Sequence, residues 1–252
     1  MERSIRVQGL VLHHYNYGEA DRFVRLLTAE RGKISALARG VRRMNSRKAG
    51  HLEPFTLASV QLSKTHSSVW VIDQVSTIES FPGILGTLER AALAAYVTEL
   101  TDRFALEEME NRALFSLAVE TIRRIAVIED PFPTLRYFDL RLLDLAGFRP
   151  DFQHCVICRS VVQPTNQFFS ASLGGIVCPA CQRHEAACRP ISVRTLKFLR
   201  YYQKSSFKEA AAAGWPQDIR TEGENILTDY LAFILERKIN SQEFLENIRK
   251  QR

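Results

Sequence analysis

Five cysteines lie in the C-terminal half of this 252-residue chain, at Cys155, Cys158, Cys178, Cys181 and Cys188. The first four read C-x2-C, nineteen residues, C-x2-C. That spacing lets two tight turns each deliver a pair of thiolates to one tetrahedral metal, and zinc is the metal such a set selects. Four sulfurs fill the shell and leave no open position for water, so one structural Zn2+ is expected, held by Cys155, Cys158, Cys178 and Cys181. It would close an excursion between Pro150 and Pro190 that has too few apolar residues for a core of its own. Two disulfides or free buried thiols are the competing readings, and a cytosolic context disfavours the disulfides. His154 and His184 flank the knuckles but are surplus to a complete shell, and Cys188 has no partner at ligand spacing.

The second chemical feature is charge. The chain carries 34 Lys and Arg against 28 Asp and Glu, a formal net charge of +6. Residues 1–50 hold eleven of the bases and only four acids, so the first fifth exceeds the net charge of the whole. Between Glu30 and Glu53 no acid interrupts Arg31, Lys33, Arg39, Arg42, Arg43, Arg47 and Lys48. A single-signed cluster of this kind suits a polyanion, either nucleic acid or an anionic membrane surface. The candidate phosphate contacts are Arg39, Arg42, Arg43, Arg47 and Lys48 in a loop, with Arg22, Arg25 and Lys33 within or beside strands. Tyr15, Tyr17, Phe23, Phe55 and Trp70 are available to stack on bases, though each reads as core first.

The elements that must position these groups change character along the chain. Val7, Gly9, Val11 and His13 alternate with Gln8, Leu10 and Leu12, a period of two. Asn16-Tyr17-Gly18 and Glu30-Arg31-Gly32 punctuate the next strand, Phe23–Thr28, and Ile34–Ala38 ends at Gly40. Phe55–Leu62 and Val69–Ile78 complete five short strands, the count and size of an OB barrel, a fold that often binds oligonucleotides. Phe81-Pro82-Gly83 marks a boundary. Beyond it Leu93, Val97, Leu100 and Phe104 recur at helical spacing, as do Leu114, Ala118, Ile122 and Ile125, then Leu135, Phe138, Leu142 and Leu145. Gly147 and Pro150 stop the third helix. Further helices are expected over 191–203 and 217–238, the second apolar nearly all round and therefore buried. Phe168–Ser170 and Gly174–Val177 read as a small hairpin carrying the second knuckle. The predicted fold is α+β: a five-stranded OB barrel over 1–80, then a helical domain over 81–252 with a four-cysteine zinc finger at about 150–190.

Several function classes are disfavoured. A composition of 46% hydrophobic and 25% charged residues is that of a globular chain, not a disordered or fibrous one. No apolar run reaches the ~20 residues of a membrane span. Met1-Glu2-Arg3-Ser4 leads into a strand pattern without a secretory leader, so a cytoplasmic location is expected. There is no phosphate-binding G-x-x-x-x-G-K-[ST] loop, no H-E-x-x-H and no G-x-S-x-G. His51-Leu52-Glu53 followed by Cys178-Pro179-Ala180-Cys181 approaches a zinc deaminase signature, but Val177 replaces its proline and the first cysteine pair is left without a task. A non-enzymatic nucleic-acid-binding protein is the favoured class, with a zinc-ribbon transcription or ribosome-associated factor as the alternative.

The residues also carry a family resemblance. Gly9-Leu10-Val11-Leu12, Tyr17-Gly18-Glu19-Ala20-Asp21-Arg22, the run from Arg31 through Gly40 to Arg43, Leu52-Glu53-Pro54-Phe55 and Glu79-Ser80-Phe81-Pro82 resemble the N-terminal domain of bacterial RecO proteins. The helical stretch 88–146, Leu145-Ala146-Gly147-Phe148-Arg149-Pro150 and the paired knuckles keep the family's order. The resemblance covers essentially the whole chain. It implies a recombination mediator in DNA repair that works without ATP, binds single- and double-stranded DNA and anneals complementary strands. It further implies action with RecR to help load RecA onto DNA coated by single-stranded DNA-binding protein (SSB), binding of the SSB C-terminal tail, and a bacterial, nucleoid-associated location. An acidic, apolar tail wants a hydrophobic groove rimmed by arginine, for which Arg123, Arg124 and Arg136 are the candidates.

Overall fold

A computed structural model describes residues 4–66 and 68–250. Met1, Glu2 and Arg3, which lead into the expected first strand, lie outside the described residues, as do Gln251 and Arg252.

Five strands, β1 (Ser4–Tyr17), β2 (Asp21–Thr28), β3 (Gly32–Ala38), β4 (Leu57–Lys64) and β5 (Trp70–Glu79), close a barrel in the order β1-β2-β3-β5-β4. β1 pairs antiparallel with both β2 and β4, and β3 closes the barrel against β5 by a short parallel pairing. This is the OB topology the sequence predicts. Strand alternation explains the closure. Ile5, Val7, Val11, Val24, Leu26, Ile34, Val60 and Ile72 point inward and are buried together, while Ser4, Arg6 and Gln8 point out. β4 begins at Leu57 rather than Phe55, because Phe55 sits at φ +69°, where no strand can run.

Three helices follow: α1 (Leu88–Phe104), α2 (Arg112–Val127) and α3 (Phe132–Leu145). Their starts are those the sequence chemistry favours. Thr87 and Asn111 accept hydrogen bonds from the amides of Arg90 and Leu114, capping α1 and α2. The expected apolar stripes are buried, except that Phe104, at the end of the first, is half-buried and Leu145, at the end of the third, is exposed. Next comes a three-stranded sheet of β6 (Gln167–Ser170), β7 (Gly175–Val177) and β8 (Arg189–Ile191); the first knuckle, Cys155 and Cys158, precedes it and the second, Cys178 and Cys181, directly follows β7. The expected hairpin is β6 and β7; the third strand is an addition that its three residues were too short to announce.

α4 (Val193–Lys204), α5 (Phe207–Ala213), α6 (Gln217–Leu235) and α7 (Asn240–Lys250) complete the chain. The alanine run at 210–213 is the end of α5, started by a capping box of Ser206 and Glu209. The helix expected over 217–238 stops at Leu235, where Glu236 turns left-handed at φ +51°. It is not buried all round: Phe233 is 52% exposed.

By compactness the chain forms two units, residues 1–128 with 240–252, and residues 129–239. The barrel, α1, α2 and α7 make the first; α7 joins it through Glu99, which accepts from the Asn240 and Ser241 amides. The four-cysteine region and α3 to α6 make the second. Compactness thus divides the chain elsewhere than the strand-to-helix boundary near residue 80. No helix among the described residues is long and apolar enough to cross a membrane.

Candidate nucleic-acid interface and metal centre

The segment after β3 is held to the barrel at both ends. Gly40, at φ +65°, gives its amide to the Asp21 carboxylate at 2.7 Å, and the Arg42 amide donates to the Ala20 carbonyl at 2.9 Å. Arg42 Nη1 also reaches the Gly18 carbonyl at 3.2 Å. At the far end Lys48 Nζ donates to the Ile72 carbonyl at 2.6 Å, and His51 Nδ1 lies 2.8 Å from Thr77 Oγ1. The loop is therefore a built feature that begins beside the β1–β2 turn.

The eight candidate cations fall into two groups. Arg39, Arg42, Arg43 and Arg47 are exposed, and none has a carboxylate partner among the described residues. The other four are engaged. Lys48 is half-buried on the Ile72 carbonyl. Arg22 pairs with Glu53 at 3.1 Å and lies 3.3 Å from His14 Nε2. Arg25 and Lys33 face Asp102 at 3.7 and 3.6 Å and also pair with Glu107. Lys33 is further buried by donating to the Asp102 carbonyl at 2.5 Å. Arg25 and Lys33 thus serve the packing of the barrel against the end of α1 and the acidic connector after it, residues 105–111. Burial alone would raise the Asp102 pKa; hydrogen bonding from His13 and the charges of Lys33 and Arg25 outweigh it and hold the carboxyl below its usual value.

Of the aromatic candidates, Trp70 is buried and its indole N–H donates to Glu108 at 3.0 Å, so it is core. Tyr15 and Tyr17 are exposed on the outer face of β1. Of the three arginines expected to rim a groove for an acidic tail, one is buried and the other two are ion-paired. Arg136 is 1% exposed and pairs with Asp139 at 3.0 Å. Arg123 is engaged by Glu79 and Glu120, and Arg124 by Glu120.

In the second unit the four expected cysteines come together, their sulfurs all within 4.8 Å of one another. Thiolates holding a metal tetrahedrally at about 2.3 Å stand about 3.8 Å apart. Cys158 Sγ and Cys178 Sγ are 3.8 Å apart. The turns are those a metal knuckle needs. Arg159, at φ +62°, bonds back to the Cys155 carbonyl, Cys181 to the Cys178 carbonyl, and the Cys178 amide points at Cys155 Sγ. Gly175 allows β7 to approach, since a Cβ there would lie 2.7 Å from the Asp151 carbonyl oxygen. The Ser160 hydroxyl and amide pull the Cys158 thiol down to about 6, whereas burial and the neighbouring thiols push Cys181 up to about 12. Four such groups ionise together only around a cation, so the donor set fits a metal ion. Neither His154 nor His184 belongs to the set, and no disulfide forms among the described residues.

Comparison with known proteins agrees with this architecture. Residues 1–81 match the family model described as Recombination protein O N terminal, and residues 85–243 the model described as Recombination protein O C terminal. A DNA repair protein RecO from Roseiflexus sp. (strain RS-1) is 34% identical over 249 residues, covering 99% of this chain and 87% of the relative. One from Dehalococcoides mccartyi (strain BAV1) is 32% identical, covering 98% and 96%. One from Anaeromyxobacter dehalogenans (strain 2CP-C) is 34% identical, covering 97% and 96%. With both halves matched in order along nearly its whole length, the chain belongs to the RecO family of DNA repair proteins.

Proposed function

We propose that this protein is an ATP-independent, non-enzymatic recombination mediator that binds single- and double-stranded DNA through its barrel and anneals complementary strands. The observation that carries this reading is the set of four exposed guanidiniums, Arg39, Arg42, Arg43 and Arg47, on a loop anchored to an OB barrel. Phosphate contacts from such a loop fix a strand without reading its sequence, and an annealing protein needs that indifference. Its partners in this reading are RecR, the C-terminal tail of SSB and, indirectly, RecA, in the bacterial cytoplasm. The metal is one structural zinc on Cys155, Cys158, Cys178 and Cys181, favoured by four thiolates in a closed shell.

Strand annealing tests the reading. Complementary oligonucleotides mixed with the pure protein should pair faster than alone, with no nucleotide added and no change on adding ATP. ATP hydrolysis by the protein itself, traced to no contaminant, would overturn it.

A further inference from the structure

Two tyrosines on β1 have no evident task in holding the barrel together. Tyr15 and Tyr17, two residues apart on one strand, share its outer face. They remain 48% and 53% exposed. Both lean on Phe23 of β2, directly across from Tyr15 in the register. Tyr15 stacks on it with centroids 5.5 Å apart and planes 21° apart; Tyr17 meets it edge-on at 5.0 Å. The result is a supported pair of rings with open faces.

Their location is the second observation. The turn that follows Tyr17 is the one to which the basic loop is tied, through the Arg42 amide on Ala20 and the Arg42 guanidinium on Gly18. The open rings and the anchored start of the loop that carries the exposed arginines therefore meet at one turn. In OB barrels the strand 2–3 face and the β1–β2 loop are where oligonucleotides lie.

We propose that Tyr15 and Tyr17, backed by Phe23, form a base-stacking platform that makes the proposed DNA site favour single strands over duplex. The inference rests on the DNA-binding reading above and adds to it what the cations cannot supply. A phosphate contact serves duplex and single strand alike, whereas a ring stacks only on a base whose face is free.

The test compares the full-length protein with its Tyr15→Ala/Tyr17→Ala and Tyr15→Phe/Tyr17→Phe variants. Each is titrated with a fluorescent dT oligonucleotide and with an abasic oligonucleotide of the same length and charge. The alanine pair should bind dT about 5- to 150-fold more weakly, the range expected for losing one stacked base. Its abasic affinity and salt slope should stay at wild-type values, and the phenylalanine pair should bind dT like wild type. Unchanged dT affinity in the alanine pair overturns the proposal, and so does equal weakening on both oligonucleotides, which would mean the rings only hold the hairpin. An Arg39/Arg42/Arg43/Arg47→Ala variant separates the two readings. If it binds both oligonucleotides as wild type does, the basic-loop reading fails, and the dT-against-abasic contrast still decides the platform.

Discussion

Replacing Arg39, Arg42, Arg43 and Arg47 with alanine removes the cations of the basic loop that have no acidic partner among the described residues. Lys48 is left in place because its ammonium is already committed to the Ile72 carbonyl. Each phosphate neutralised on a single strand releases counterions and contributes about −0.7 to the slope of log K against log salt. Four lost contacts therefore make the slope shallower by up to about 3. At 0.1 M salt the same term is worth about fivefold per contact, or up to roughly 600-fold in affinity. The loss should be alike for dT, dA and mixed sequences, since phosphates carry no base identity. The assay is fluorescence anisotropy of labelled oligonucleotides across a salt series. Arg25→Ala/Lys33→Ala is the contrasting variant: those cations face Asp102 and Glu107, so the slope should hold while the protein melts earlier. A slope unchanged in the quadruple variant, or one that falls in the double variant instead, would refute the assignment of the loop as the phosphate path.

The purified chain should contain one zinc by elemental analysis, and Cys178→Ser should release it and lower the melting temperature, because metal-binding energy at such a site is also folding energy; metal-free protein from reducing, chelator-free buffer would refute this. Gly32→Ala should cost at least ~2 kcal/mol in urea unfolding, since a left-handed φ disfavours any side chain. Gly32 sits at φ +59°, and its added Cβ would lie 1.9 Å from the Met109 carbonyl oxygen. Asp102, held below its usual pKa despite burial, stabilises the fold above its unfolded value near about 4 and loses that contribution as pH falls through the folded value. Wild-type stability should therefore drop below about pH 4, and Asp102→Asn, weaker at neutral pH, should show a shallower drop, the remainder coming from other lowered carboxyls such as Glu79 and Glu108; equal acid limbs in the two proteins would sink the argument.

The parts legible in the sequence were those set by local chemistry. Alternation fixes five strands, and five strands of that length have few ways to bury Val7, Val24 and Ile34 except by closing. The cysteine spacing dictates two knuckles before any tertiary contact is known, and the sulfurs do converge. The ends of elements were less legible, because single backbone angles decide them: Phe55 at φ +69° delays β4, and Glu236 at φ +51° ends α6 at Leu235, short of the expected 238. Leu145 and Phe233 fit an apolar period yet remain exposed, since periodicity reports a face and not whether anything covers it.

Charge was the least legible property, for the same reason. Eleven bases in the first fifty residues suggest a uniformly positive domain. The acids that answer them come from far along the chain: Glu53 on Arg22, Asp102 on Arg25 and Lys33, Glu107 on Arg25. Glu108 extends the pattern by engaging Lys64 at 3.1 Å and the Trp70 indole at 3.0 Å. The connector that carries Glu107 and Glu108 is anchored to β3 by the Lys33 amide on the Leu106 carbonyl and the Glu108 amide on the Lys33 carbonyl. One end of the barrel's outer face is therefore neutralised by acids from the chain itself. At the β1–β2 turn, the Arg42 guanidinium lies on the Gly18 carbonyl next to Tyr17, and the loop that carries it also carries Arg39, Arg43 and Arg47, exposed and with no carboxylate partner among the described residues. In the DNA-binding reading proposed above, a strand would follow the guanidiniums that the chain's own carboxylates leave unanswered, so the position of the carboxylates decides the path as much as the position of the bases.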